Sequence, residues 1–348
     1  KLSIVLAATA AVAVATPPIF VGRAAAGATL ATEFETAEEL FEDIQLMGTA
    51  QIVQLTEVPE MDDTSNGDSP YAPVVQMHGM GDFAADPLGM VPMKKMISNE
   101  LDGAYVTNVA LGDNAIADML NGFLLPLEDS VASFAAIVQA DENLANGFNA
   151  IGYSQGNDII RGYIHEVNDP PVLNWVSVHG PIMGVAGIPK CKMTSKICQE
   201  LDGLLHLAAY NELVQNHLTQ ANYFRDPKHL DQYRAGGHGL ANWNQESTKF
   251  PKNETYAENL NKLNSTLLVR AMGDTMVFPS ESEHFGFYQD GTLDATWDME
   301  DTPWYQEDWF GLKQLNEAGK LHFDSTDGDH LQFTNDQLLG WVDAYFKN

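Results

Sequence analysis

Cysteine is nearly absent: Cys191 and Cys198 are the only two in 348 residues. That count excludes a small disulfide-scaffolded architecture and any zinc site built from clustered thiolates. Basic residues are scarce too. Eighteen Lys and Arg stand against 48 Asp and Glu, a formal net charge of −30, so phosphate is repelled and nucleic acid is not expected as a partner. Anionic membranes are disfavoured on the same ground. No His or Cys cluster shows metal-ligand spacing, so no metal site is expected. Long hydrophobic runs are also missing. The one apolar stretch near the beginning, Leu2 to Val14, is too short to span a bilayer comfortably. With Lys1 before it and the small residues Ala13 and Ala15 around a cleavage point, residues 1–15 read as a secretory signal peptide. No transmembrane span is expected once it is removed.

What is present is enough apolar residue, 45% of the chain, to build one large core. Residues 16–72 form an acidic N-terminal segment with one amphipathic helix over 31–47 and a Pro- and Gly-broken linker over 57–73. The folded domain is expected over 73–348. Short apolar runs begin near 73, 104, 148, 172, 265 and 320, and the first four are separated by stretches long enough for crossover helices, including 88–100 and 127–144. This alternation predicts an α/β protein with a mostly parallel sheet flanked by helices. Residues 184–264, approximately, interrupt the rhythm with helical patterns and read as an inserted cap above the carboxyl edge of the sheet. The triplets at Asn253 and Asn264 are glycosylation acceptors. In an oxidising compartment Cys191 and Cys198 are positioned to close one small loop.

The stretch "FNAIGYSQGNDIIRGYIHEV" places Ser154 between Gly152 and Gly156, with a strand pattern before it and a helical pattern after it. That is the context of a nucleophile elbow, where a sharp turn holds a serine out of the sheet. A nucleophilic serine needs a base, and the base needs an orienting acid; in this fold class the acid precedes the histidine in the chain. His330 follows a strand-like run within a Gly- and Asp-rich loop, whereas His322 falls inside the strand pattern and His284 is a weaker competitor. Asp274, just past the turn that ends another strand pattern, suits the acid; Asp327 and Asp329 suit capping of the His330 turn. The oxyanion of an acyl intermediate calls for two backbone N–H donors, and Gln155 and Met80 occupy the corresponding positions. Phe224, Leu213, Met276 and Val277 are candidates for the wall of an acyl groove, since each buried methylene contributes about 0.8 kcal/mol.

In order along the chain, "HGMGD" at 78–82, "GFNAIGYSQG" at 147–156, "RDPKH" at 225–229, "EHFGFY" at 283–288, "GLKQLNEAGKL" at 311–321 and "DGDHLQ" at 327–332 resemble the palmitoyl-protein thioesterases. The likeness runs from about Pro73 to Phe346. It implies an α/β-hydrolase that removes long-chain acyl groups from cysteine thioesters of proteins or peptides, or from acyl-CoA-like thioesters, without a cofactor. It implies a lysosomal, vacuolar or extracellular setting, Ser154, Asp274 and His330 as a triad, Met80 and Gln155 as the oxyanion hole, and Cys191–Cys198 as a retained disulfide pair. It departs at "SVHGPIMG", residues 177–184, where the family carries a polar Gly-Gln-His stretch. The rivals to this reading are a lipase or carboxylesterase on the same scaffold and a non-catalytic lipid-binding protein.

Overall fold

The computed structural model of the chain describes residues 69–187 and 208–347. The expected signal peptide, the helix expected over 31–47 and the Cys191–Cys198 pair all fall outside the described residues. Strand β1 (Val74–Met77) opens the domain one residue after Pro73, followed by α1 (Met90–Glu100), β2 (Val106–Asn108), α2 (Ala115–Leu124), α3 (Leu127–Ala140), β3 (Phe148–Tyr153), α4 (Gly156–Glu166), β4 (Val172–Val178) and β5 (Ser265–Ala271). A two-stranded hairpin, β6 (Phe287–Tyr288) with β7 (Thr296–Trp297), precedes β8 (Leu321–Thr326) and the C-terminal helix Asn335–Phe346. The main sheet runs β2-β1-β3-β4-β5-β8 with every neighbouring pair parallel. This is the arrangement of an α/β-hydrolase.

A parallel sheet covered on both faces needs strands that are apolar almost throughout, because successive side chains serve opposite cores. Val75, Phe148, Ala150 and Trp175 face one cluster, with Phe134 of α3 and Ile160 and Tyr163 of α4. Val74, Ile151, Tyr153, Val176, Leu267 and Val269 face the other, against Ile97 of α1 and Trp341 of the C-terminal helix. The six strand patterns seen in the sequence coincide with the six strands of this sheet. Helix α2 and the β6–β7 hairpin were not anticipated.

Between β4 and β5 the described chain folds into one- and two-turn helices, among them Glu212–Gln215 and Thr219–Asn222. The helical periodicity there predicted a longer element. The turns are cut short because buried amides take backbone partners: Gln215 donates to the Ala209 and Ala221 carbonyls, and Asn222 donates to the Gln215 carbonyl. The last helix of this region, Thr255–Leu260, packs on α4 and accepts the His165 ring at the Tyr256 carbonyl, so it belongs to the body of the sheet layer.

Candidate active site

Ser154 sits on the turn between β3 and α4 with φ of +52°, a conformation that non-glycine residues adopt only when their surroundings hold them there. The flanking glycines are required by contact. A Cβ at Gly156 would stand 2.3 Å from the Met77 carbonyl oxygen, and one at Gly152 2.3 Å from Asn157 Oδ1. The Ser154 N–H donates to the Val178 carbonyl at 3.0 Å, tying the turn to the end of β4.

The loops after β5 and β8 bring the two other residues to the same edge. His330 Nε2 lies 2.8 Å from Ser154 Oγ and Nδ1 lies 2.6 Å from Asp274 Oδ2. With Nδ1–H donating to the carboxylate, Nε2 is free to accept the serine hydroxyl. The Asp274 side chain is buried. Burial pushes its pKa up, but the hydrogen bond and charge of His330, a hydrogen bond from Glu283 and the Val277 amide outweigh it, and the net shift is downward. Asp274 Oδ1 accepts the Met276 and Val277 N–H groups at 2.6 and 2.8 Å, which sets the carboxylate's orientation.

Asp329 laces the two loops together. Its Oδ1 accepts the Thr275 N–H and hydroxyl, both at 2.9 Å, and the His330 N–H at 2.8 Å. His284 instead binds the Leu268 and Asp324 carbonyls, and His322 packs at a tilt against Tyr345, so neither approaches Ser154.

Sequence reasoning missed His179. This fully buried residue, at the point where the chain departs from the family pattern, accepts the Leu331 N–H at Nδ1, 2.8 Å away, and lies 3.0 Å from Thr326 Oγ1 through Nε2. Its ring is 6.0 Å from that of His330. Burial, and then the neighbouring His330, lower its pKa to about 4, so it is neutral where Nδ1 must accept. Leu331 has φ of +55°. His179 therefore holds a strained residue next to His330 in place. A buried acceptor at the end of β4 is invisible until that strand's neighbours are known.

Met80 and Ser154 line one cleft, together with Pro181, Val185, Gly187, Gln220, Tyr223, Met276, Val277 and His330. Neither the Met80 nor the Gln155 backbone N–H donates to another described residue. The Met80 loop is held from behind: His78 Nε2 meets Asp118 at 3.1 Å, and the same carboxylate accepts the Ala84 and Leu111 N–H groups. The Gln155 side chain is spent on the Gly122 carbonyl and the Tyr223 hydroxyl.

Of the four groove candidates, Met276 and Val277 line the cleft. Phe224 does not; it is 1% exposed, locked in the core by a bridge to Val185. Leu213 does not either, because it sits on a half-exposed turn outside the cleft. Asn253 and Asn264 are exposed. Asp274, Glu283 and His330 place donor atoms within 4.8 Å of one another, but both His330 nitrogens are already engaged, so an ion there would have to displace Asp274 or Ser154.

The sheet order and the elbow define the protein as an α/β-hydrolase. Within that class, residues 73–330 match the palmitoyl protein thioesterase family, and the chain belongs to it. It is 39% identical over 267 residues to palmitoyl-protein thioesterase 1 of Caenorhabditis elegans, covering 77% of this chain and 89% of that relative. It is 36% identical over 276 residues to palmitoyl-protein thioesterase 3 of Dictyostelium discoideum, covering 79% and 90%. A lysosomal thioesterase of Mus musculus is 27% identical over 252 residues, covering 72% and 79%.

Proposed function

We propose that this protein hydrolyses long-chain acyl thioesters, palmitoyl groups on cysteine among them, through an acyl-enzyme on Ser154. The observation that carries the reading is the unbroken chain Ser154 Oγ–His330–Asp274, opening into an apolar-walled cleft in a member of this family. His330 takes the serine proton as Oγ attacks the thioester carbonyl. The Met80 and Gln155 N–H groups receive the oxyanion, the thiol leaves with the proton from His330, and water attacks the acyl-serine with the same imidazole as base. Asp274 orients the ring and stabilises its charged form. Met276, Val277, Pro181 and Val185 shelter the acyl chain.

Substrates are S-acylated proteins or peptides and acyl-CoA-like thioesters. The setting is the secretory pathway, ending in a lysosome-like compartment or outside the cell, with Asn253 and Asn264 available for glycosylation. Among the described residues no helix is long and apolar enough to cross a membrane. The test compares turnover of palmitoyl-CoA with that of a matched oxygen ester. Thioester preference, with fluorophosphonate labelling abolished in Ser154→Ala, is the expected result. Preference for the oxygen ester would move the protein to the carboxylesterases, and labelling that persists in the variant would remove Ser154 from the mechanism.

A further inference from the structure

Close to Asp274 lies a second carboxyl group. Glu283 belongs to the short 3₁₀ turn Ser280–His284, which packs on β5. Its Oε2 accepts the Ala271 N–H at 2.7 Å. Its Oε1 is buried and receives no hydrogen-bond donor among the described residues. The ligand atoms of Glu283, Asp274 and His330 lie within 4.8 Å of one another.

A carboxylate offers about four acceptor positions. Three on Asp274 are taken, by the Met276 and Val277 amides and by His330. Two ionised carboxylates in this space would repel each other, and one oxygen of Glu283 would be buried without a partner. The surrounding groups do not relieve that conflict. Arg270 is directed to Ser280 and Glu281, His284 binds two backbone carbonyls, and His179 is spent on Thr326 and Leu331. A single proton on Glu283 removes both problems at once, because it turns the orphaned oxygen into a donor aimed at Asp274.

We propose that Glu283 is a positioning residue held as the neutral acid, whose Oε1–H donates to Asp274 and completes the shell that fixes this carboxylate for His330. The proposal rests on the hydrolase reading of Ser154, His330 and Asp274. Burial, followed by the charge of Asp274, pushes the Glu283 carboxyl well above its ordinary range, and the same hydrogen bond helps to hold Asp274 below its own. The chain thus holds a four-membered relay of orientation, Glu283–Asp274–His330–Ser154, in which only the last two groups meet substrate.

The experiment uses the full chain with Glu283→Gln, Glu283→Leu and Ser154→Ala, each checked for folding by circular dichroism and assayed on palmitoyl-CoA. Glutamine keeps an N–H donor without ionising; leucine fills the space without donating. The expected result is a fall in kcat of about 10- to 100-fold for the leucine variant with KM within about twofold, and recovery to within about threefold of wild type for the glutamine variant. The infrared difference spectrum of wild type against Glu283→Gln, at neutral pH, loses one protonated-carboxyl stretch. The proposal is overturned if the glutamine variant is as impaired as the leucine variant, if leucine leaves kcat unchanged, or if no such band is lost. Should leucine prevent folding, the glutamine kinetics and the infrared band decide. Undiminished turnover by Ser154→Ala would sink the hydrolase reading alone, and the infrared band would still report on Glu283.

Discussion

Two buried ionic groups in this molecule look alike in composition and differ in what they leave open. At the sheet edge, His330 and Asp274 form one ion-pair geometry whose outer nitrogen faces Ser154. Within the region between β4 and β5, Arg225 and Glu246 form the other, with Nη2 to Oε1 at 2.7 Å and Nε to Oε2 at 3.0 Å. There the guanidinium is walled in by the rings of Phe287 and Trp304, 5.0 and 5.2 Å from their centroids. The first group ends at a cleft; the second ends among aromatic rings and, through Nη2, at Asp290, 3.4 Å away. A buried charge does chemistry when one of its valences is left pointing into a cleft; tied to fixed carboxylates and rings, it only holds the fold. Backbone strain does not separate the two groups: Ser154 and Leu331 have positive φ beside the first, and Gln245 has φ of +61° next to Glu246 of the second.

The comparison breaks most sharply at Asp274. Replacing it with Asn keeps the shape but favours the wrong His330 tautomer, and kcat on palmitoyl-CoA is expected to fall about 10⁴-fold with the melting temperature little changed. A loss under tenfold would mean that the two groups do not differ in kind. The converse holds for Arg225→Ala, which leaves Glu246 buried and unpaired and is expected to cost about 3–5 kcal/mol in denaturant unfolding. Activity per folded molecule should be nearly unchanged. If kcat fell while stability held, the closed group would have a catalytic part that its geometry hides.

The smallest expected effect concerns pH. His179 and His284 are each pushed down to about 4 from 6.5, chiefly by burial. Between those values the unfolded chain binds protons that the folded chain refuses, so these residues lower stability progressively as pH falls from 6.5 toward 4. His179→Asn is expected to flatten that slope, measured as the denaturant midpoint at several pH values, and to lower kcat about tenfold by loosening Leu331. An unchanged slope would mean that His179 is charged in the native state.

Much of this was legible before any coordinates. The six strands declared themselves because a sheet buried on both faces forces runs such as "FNAIGY" and "VLNWVSV" to be apolar at nearly every position. Ser154 was legible because its turn tolerates only glycine at 152 and 156. The region between β4 and β5 was not legible. Its turns are set by Gln215, Gln220 and Asn222, whose amides bind backbone far from where periodicity looks, and Phe224 and Leu213 were misplaced for that reason. Local chemistry, then, made the strands and the elbow legible, since each depends on residues a few positions apart, and the order Ser154, Asp274, His330 followed from the chain order this fold class uses. Only the tertiary structure decided that His179 and Glu283 stand behind that edge. Their roles arise from β4, β5 and β8 lying side by side, and no spacing along the chain encodes which strand will be a neighbour.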